Sequence, residues 1–221
     1  MLVKDRMTPR PITVTQDTAV DKALELMHSE NVRRLPVLDN QGQMVGIVSE
    51  LDLLKVSPSP ATSLSIYEIP YLVSRIKMRD TMTKDVITVT EDVTLEDAAR
   101  IMADNKIGGL PVMRDGKLVG IITETDLFKV FLELLGAREE AVRLSMLVPG
   151  EKGTFAKITG DIAEMGGNIM AIGTIKGKDA TNYQLMMRVV DVPQEKLVSA
   201  MEDLGLELLD QRFCELPTGC S

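Results

Sequence analysis

Two copies of a hydroxyl–carboxylate pair are the residues of this chain best suited to contact a small ligand. Ser49 precedes Asp52 by three residues, and Thr123 precedes Asp126 by the same spacing. Each pair stands just before an apolar run, which is typical of a capping box at the start of a helix. The same placement suits ligand binding, because an ionised Asp accepts both hydroxyls of a ribose and free N–H groups at a helix start attract phosphate. Capping and binding are compatible, so both interpretations stay open.

A pair of arginines supplies positive charge near one of these motifs. Arg33 and Arg34 directly precede a Leu-Pro-Val segment. Their guanidinium groups match phosphate oxygens, although a solvated basic pair is also common at protein surfaces. The second copy of the motif has Gly108-Gly109 at this position, which carries no charge. We therefore expect two different clefts, with a nucleotide chiefly in the one that combines the arginines with the Ser49 pair.

An internal repeat must position these residues. Residues 5–56 recur as residues 80–130 with one gap near Gln41. Leu-Pro-Val at 35–37 returns at 110–112, and Val-Gly-Ile at 45–47 returns at 119–121. Two copies of a unit that cannot bury its apolar face alone are expected to pack on each other with pseudo-two-fold symmetry. Such a pair forms two equivalent clefts, and small ligands favour clefts of this kind.

Each repeat is predicted to run strand, helix, strand, strand, helix. In the first copy the strands are expected at 12–14, 35–38 and 44–48, and the helices at 18–29 and 49–55. Ser-Pro-Ser-Pro at 57–60 indicates a linker, and the apolar spacing of 66–76 predicts a short helix. The predicted domains are repeat 1 at 1–56, the linker at 57–76, repeat 2 at 77–138, a third domain at 139–215 and a tail at 216–221.

The third domain has a different pattern. Strands are expected at 142–148, 168–176, 181–190 and 206–213, and helices at 154–165 and 193–204. This β-α-β-β-α-β order predicts a ferredoxin-like domain. The whole chain is therefore expected to be a mixed α/β (α+β) protein.

Composition argues against several classes of function. A net charge of −8 and only 3% aromatic residues do not favour nucleic-acid binding. No apolar run reaches the length of a membrane span and the start lacks a signal peptide, which predicts a cytoplasmic protein without a membrane partner. Cys214 and Cys220 match no zinc spacing, so no metal is expected. Free thiols are favoured over a disulfide between these two cysteines in that compartment.

The repeated motifs resemble a tandem pair of CBS domains, a Bateman module. The resemblance covers residues 3 to about 130, and it rests on the Leu-Pro-Val and Val-Gly-Ile segments followed by Ser49/Asp52 and Thr123/Asp126. It implies regulatory sensing of AMP, ADP, ATP, S-adenosylmethionine or a related adenosine ligand, with no required cofactor. Asp52 and Asp126 would bind ribose hydroxyls. In the cleft assigned to Gly108-Gly109 the resemblance implies a less charged adenosine derivative, or none. The implied nucleotide-binding residues are Thr18, Arg33, Arg34, Leu35, Pro36, Ser49, Asp52, Val93, Gly109, Leu110, Pro111, Thr123 and Asp126.

The third domain resembles an ACT domain. The resemblance rests on the element order and on Pro-Gly-Glu-Lys-Gly at 149–153, before a helix that ends at Gly-Gly-Asn-Ile. It implies an amino-acid site that includes Gly153 and Asn168, although Gly153 also suits a tight turn and Asn168 a strand start. The full order is similar to bacterial acetoin-utilisation regulatory proteins. CBS pairs and ferredoxin-like sheets both associate with copies of themselves, so a homodimer or higher oligomer is expected.

Three classes of function compete. A non-catalytic ligand sensor is favoured, because no activated nucleophile, metal cluster or Gly-rich phosphate loop accompanies the acidic residues. An enzyme acting on a nucleotide would use Asp52, Glu124 or Asp126 as acid or base. An interaction scaffold with vestigial clefts would bind no ligand. Nucleotide binding without turnover separates the first class from the other two.

Overall fold

The structure is a computed structural model that describes residues 1–56 and 75–215 and the backbone of residues 219–220. It contains two compact units, Met1–Leu127 and Phe128–Ser221. The predicted linker at 57–60, residues 66–74 of the predicted short helix and most of the predicted tail lie outside the described residues. Within the described ranges, no helix has both the length and the apolar character needed to cross a bilayer.

The first repeat forms a three-stranded sheet with one helix between its first two strands and a second helix after its last strand. A 3₁₀ helix at Val3–Asp5 and strand β1 at Thr8–Pro9 precede it. Strands β2 and β3 are parallel, and β3 and β4 are antiparallel. The apolar spacing of the first helix buries Val20, Ala23 and Met27 against the sheet residues Leu35, Val37 and Val48. The elements are β2 Val14–Thr15, α1 Val20–Ser29, β3 Arg34–Leu38, β4 Met44–Ser49 and α2 Glu50–Val56.

The second repeat has the same arrangement. Its sheet has the strand order β1-β7-β6-β5, so strand β1, at the N-terminal end of the first repeat, is part of the second repeat's sheet. Leu95, Ala98 and Met102 of the helix at Leu95–Asn105 are buried, as are Leu110 and Val112 of the strand at Gly109–Arg114. The elements are α3 Met78–Thr81, β5 Val89–Thr90, α4 Leu95–Asn105, β6 Gly109–Arg114, β7 Lys117–Thr123 and α5 Glu124–Leu134.

The two repeats exchange their N-terminal segments. Thr8 of β1 pairs with Ile121 of β7, and Thr83 pairs with Ile47 of β4 in the corresponding way. The 3₁₀ helix and α3 are exchanged too, because Val3 N–H donates to the Val93 carbonyl and Met78 N–H donates to that of Thr18. Sequence analysis did not predict this exchange. It makes each cleft a composite of both repeats.

The glycine of each Val-Gly-Ile segment permits this exchange. A Cβ atom on Gly46 would lie 2.5 Å from Met82 Sδ and 2.9 Å from the Thr83 carbonyl oxygen. A Cβ on Gly120 would clash in the same way with Met7, which is the residue equivalent to Met82. Only glycine allows the incoming segment to lie this close to the strand.

The C-terminal unit has the predicted β-α-β-β-α-β order. Its five-stranded antiparallel sheet has the order β12-β11-β8-β10-β9. One face of the sheet buries Leu144, Met146, Leu185 and Met187 against the helices, where Ile158 contributes to the same core. The elements are β8 Ala141–Pro149, α6 Thr154–Glu164, β9 Asn168–Lys176, β10 Asn182–Val190, α7 Gln194–Asp203, β11 Glu207–Glu215 and β12 Gly219–Cys220.

The C-terminal strand pair differs from the sequence expectation. Strand β12 was not predicted, and it places Cys220 opposite Cys214 in register. Cys214 is disulfide-bonded, so the expectation of free thiols is wrong for this residue. Composition favoured thiols through the expected compartment, whereas strand pairing decides which cysteine backbones lie side by side.

Candidate functional site

Two clefts in the N-terminal unit contain the hydroxyl–carboxylate pairs. The first cleft has a volume of about 510 Å³ and contains Ser49 and Asp52. The second cleft has a volume of about 440 Å³ and contains Thr123 and Asp126. Both volumes are in the range of small-molecule sites. The first is lined by residues 33–34, 47–52, 83, 85–87 and 106–109, and the second by residues 8, 10–12, 31–34, 121, 123, 125 and 126.

The lining of each cleft follows from the segment exchange. The Ser49 pair belongs to the first repeat, but Thr83 and Asp85 beside it belong to the second. The Thr123 pair in turn lies beside Thr8 and Arg10 of the first repeat. The repeats therefore contribute equivalent positions to opposite clefts.

Both hydroxyl–carboxylate pairs form capping bonds at helix starts. In the first cleft Ser49 donates to Asp52 Oδ2 from its N–H at 3.0 Å and from Oγ at 2.6 Å, and Asp52 N–H donates back to Ser49 Oγ at 3.3 Å. In the second cleft Thr123 donates to Asp126 Oδ2 from its N–H at 2.9 Å and from Oγ1 at 2.7 Å. Among the described residues, no hydrogen-bond donor reaches Oδ1 of either aspartate. Capping thus occupies one carboxylate oxygen and leaves the other able to accept ligand hydroxyls.

The arginine pair lies at both clefts rather than at one. Arg33 and Arg34 line the first and the second cleft. Arg33 Nη2 donates to Thr125 Oγ1 at 3.2 Å, and Arg34 Nη2 lies 4.0 Å from Glu124 Oε2. These contacts bring both guanidinium groups to the start of α5, which belongs to the second cleft. Burial lowers the pKa of Arg34, with the charge of Glu124 acting against that shift.

Gly108 and Gly109 line the first cleft, so their assignment to the second cleft was wrong. The glycine pair receives the Arg34 side chain, because a Cβ on Gly109 would lie 3.1 Å from Arg34 Cδ and one on Gly108 would clash with the guanidinium. The way the two repeats pack on each other is the physical reason for the error, since it places the start of β6 at the cleft that contains Ser49 and Asp52.

The two clefts differ in charge. The described residues that line the first cleft include three basic and three acidic side chains: Arg33, Arg34 and Lys106 with Glu50, Asp52 and Asp85. Those that line the second include three arginines and one acidic side chain: Arg10, Arg33 and Arg34 with Asp126. The lining of the second cleft therefore has a net positive charge, whereas that of the first cleft is balanced.

Several predicted site residues have structural positions instead. Leu35 and Leu110 are buried in the sheets and line neither cleft. The prolines that follow them, Pro36 and Pro111, also line neither cleft. Thr18 and Val93 also do not line the clefts, since their carbonyls hold the exchanged helices. Lys106 lines the first cleft and Arg10 the second, and neither was predicted. The repeat alignment was the available signal, because it pairs Lys106 with Asn31 and Arg10 with Asp85, which also line the clefts.

The C-terminal candidates show less convergence. Gly153 has a left-handed backbone with φ of 89° at the start of α6, which explains the need for glycine there. Asn168 is exposed at the start of β9, and its Nδ2 lies 3.9 Å from Met170 Sδ. Neither residue lines the two clefts described above. In the described part of the chain, no cluster of three or more His, Cys, Asp or Glu side chains has the arrangement of a metal site.

Comparison with known proteins agrees with this architecture. Residues 3–59 and 73–133 match the CBS domain family, and they make up more than half of the chain. The protein belongs to the CBS domain family, with the two domains in tandem.

Individual relatives are similar over the same region. An uncharacterized protein of Methanocaldococcus jannaschii, MJ1426, is 34% identical over 158 residues, which cover 60% of this chain and 92% of the relative. The structure of a protein assigned to acetoin utilization, AcuB from Vibrio cholerae, is 31% identical with a TM-score of 0.51 and covers 62% of this chain and 95% of that one. The CBS domain pair of protein MJ0100, in complex with 5′-methylthioadenosine and S-adenosyl-L-methionine, is 28% identical with a TM-score of 0.50 and covers 63% and 98%.

Proposed function

We propose that this protein is a non-catalytic regulatory sensor that binds adenosine-containing ligands in the two clefts of its CBS pair. The observation that carries the proposal is the hydroxyl–carboxylate pair in each cleft, with one carboxylate oxygen of Asp52 and of Asp126 available for ribose hydroxyls. The adenosine ligands of the similar MJ0100 domain pair support the same ligand class. Apolar side chains such as Ile47 and Ile87 in the first cleft, and Ile12 and Ile121 in the second, offer surfaces for adenine.

The charge difference between the clefts supports a different ligand for each of them. The second cleft, with Arg10, Arg33 and Arg34, is proposed to take a nucleotide such as AMP, ADP or ATP, because guanidinium groups pair with phosphate oxygens. The first cleft balances its charges and is proposed to take an adenosine derivative without phosphates, such as S-adenosylmethionine.

Calorimetric titration with ATP and with S-adenosylmethionine tests this assignment. Arg10→Gln removes a charge that lines only the second cleft, and Lys106→Gln removes one that lines only the first. We expect Arg10→Gln to weaken ATP binding about tenfold while Lys106→Gln leaves it within about twofold, since a hydrogen bond to a charged group contributes about 1.5–3 kcal/mol. Equal losses in both variants would contradict the assignment, and the absence of binding by any adenosine ligand below millimolar concentration would favour a scaffold.

Two further parts of the proposal concern the rest of the chain. The element order and the backbone of Gly153 support an ACT-like C-terminal domain, for which amino-acid binding at Gly153 and Asn168 stays a prediction. Self-association is supported by apolar side chains that α2 and α5 expose, among them Leu51 at 61% and Phe128 at 67%. Exposed apolar surface of this kind is typical of protein interfaces.

A further inference from the structure

A row of arginines crosses the sheet of the C-terminal unit. Arg212 on β11 lies opposite Arg143 on β8, and Arg143 lies opposite Arg188 on β10. Residues directly opposite in antiparallel strands project from the same face, and like charges in such positions destabilise a sheet. The neighbours Val142 and Leu144 are buried in the helix-covered core, so the arginines occupy the other face. A costly arrangement of this kind needs a physical reason.

A β-bulge brings two of the charged residues onto this face. Leu208 pairs with Met146 and Asp210 with Ser145, so Leu209 is an extra residue in β11. Without it, Asp210 would lie opposite Leu144 on the helix-covered side, because a shift of one residue moves side chains to the other face. The bulge thus puts Asp210 and Arg212 beside Arg143. Bulges often re-aim side chains next to binding sites.

These residues line a shallow cavity of about 460 Å³ that is widely open to solvent, together with Ser145, Gln184 and Leu209. Asp210 accepts hydrogen bonds from Arg212 and from Arg143, and the hydrogen bond from Arg212 is the main reason that its pKa is lowered. Within the described residues, Asp210 is the acceptor found for both guanidinium groups, and each group carries five N–H donors. One carboxylate therefore serves two arginines and leaves donors and a net positive charge at the cavity.

Two of the remaining lining residues are polar and hydrogen-bonded to each other. Ser145 is only 2% exposed, and its Oγ accepts a hydrogen bond from Gln184 Nε2 at 2.9 Å. The serine hydroxyl proton is then available to a ligand oxygen. Arg188 extends the row and donates from Nη1 to the Glu139 carbonyl at 3.2 Å.

We propose that this face of the C-terminal sheet binds a small oxyanion, a phosphate or a carboxylate of a metabolite, between Arg143 and Arg212 over Ser145. This site is separate from both CBS clefts and from Gly153 and Asn168. The anion supplies the second negative charge that the two arginines lack, in the bidentate geometry that guanidinium groups favour. A volume of about 460 Å³ admits a metabolite larger than phosphate itself.

Nuclear magnetic resonance of the isotope-labelled full chain tests the proposal, with the side-chain amide of Gln184 as a local probe. Inorganic phosphate and succinate are titrated separately at constant ionic strength, which distinguishes the two anion sources. We expect the Gln184 signal to shift saturably with at least one of them. Arg143→Gln is expected to weaken that anion about tenfold or more. Lys196→Gln, an exposed residue on α7, removes the same charge elsewhere and is expected to leave it unchanged.

Asp210→Asn separates a binding role from a structural one. Removal of the competing carboxylate is expected to strengthen anion binding about threefold or more, whereas a role in folding alone would make Arg143→Gln and Asp210→Asn weaken it together. That parallel loss would overturn the proposal, as would a Gln184 signal that responds to neither anion or responds equally in wild type and Arg143→Gln. An unchanged circular dichroism spectrum shows that each variant is folded, and unchanged binding of S-adenosylmethionine, or of whichever adenosine ligand the wild type binds, shows that the N-terminal unit is intact.

Discussion

Replacement of Asp126 by alanine separates the two roles that its carboxylate combines. In the structure Oδ2 accepts from Thr123 N–H at 2.9 Å and from Thr123 Oγ1 at 2.7 Å, while Oδ1 is available to a ligand. Asp126→Ala removes the capping bonds and the ligand acceptor together. Asp126→Asn keeps an amide oxygen that can accept from Thr123 but loses the charge and one acceptor. The two variants are therefore expected to differ more in stability than in binding.

The magnitudes follow from the bonds that are lost. Loss of a helix cap costs about 1 kcal/mol of unfolding free energy, which is the effect expected for Asp126→Ala in the absence of ligand. Unpaired ribose hydroxyls in a partly buried cleft cost about 1–3 kcal/mol of binding. That range corresponds to a dissociation constant raised roughly 5-fold to 150-fold for the nucleotide. Denaturant unfolding measures the first quantity and calorimetry measures the second.

Asp97 supplies a matched control within the same repeat. At the start of α4, Thr94 Oγ1 donates to Asp97 Oδ2 at 3.0 Å and Asp97 N–H donates to Thr94 Oγ1 at 3.1 Å. The motif is the same, it lies outside the lining of both clefts, and Asp97 also pairs with Arg100. Asp97→Ala is expected to destabilise the protein at least as much as Asp126→Ala and to leave nucleotide affinity unchanged. If both variants bind nucleotide as well as wild type does, the carboxylate of Asp126 is only a cap and the ligand assignment fails.

Three further predictions concern the exchange, the assembly and pH. Gly46→Ala is expected to lower the unfolding free energy by about 1–3 kcal/mol, because its Cβ would lie 2.5 Å from Met82 Sδ. As the control, Gly160→Ala is expected to be neutral or stabilising by up to about 1 kcal/mol, because no atom lies within 4 Å of the new Cβ, and denaturant unfolding compares the two variants. Light scattering is expected to give a mass of at least twice 24.3 kDa, and a monomer mass at all micromolar concentrations would contradict self-association. The pKa of Asp210 is lower in the folded protein than in the unfolded chain, chiefly because Asp210 accepts a hydrogen bond from Arg212. The contribution of Asp210 to stability is therefore present above the unfolded pKa of about 4 and is lost as pH falls through the folded pKa. Wild type is therefore expected to lose more stability than Asp210→Asn when unfolding is followed from about pH 5 down to about pH 2.

The elements were predictable because hydrophobic periodicity determines them locally. The helix at Val20–Ser29 and the strand at Asn168–Lys176 follow their sequence patterns closely. The two-residue strand β1 and the helix Met78–Thr81 were not predicted, since they are too short to show a period. Their partners are determined by tertiary contacts with the other repeat, and periodicity carries no information about which strand edge a segment joins.

The composition of each cleft was less predictable for the same reason. Sequence alignment of the repeats identifies Arg33 and Gly108 as equivalent positions, but it does not say which cleft each of them enters. The close approach at Gly46 is the signal that was available, because a glycine inside a strand marks a place where another backbone comes near. Interpreted in that way, the Val-Gly-Ile segments would have predicted the exchange and placed Thr83 in the cleft of Asp52.

The packing of the two repeats on each other also explains how two copies of one unit acquire different sites. The first repeat has Arg33 and Arg34 where the second has a glycine pair, and this difference affects both clefts. The Arg34 side chain lies over Gly108 and Gly109, while Arg33 contacts Thr125. The lining of the first cleft also includes Glu50 and Asp85, whereas the lining of the second includes Arg10. The same two guanidinium groups therefore border one cleft with balanced charge and one with a net positive charge. Occupation of one cleft draws on arginines that also border its neighbour, so ligands in the two clefts are expected to alter each other's affinity by the same factor.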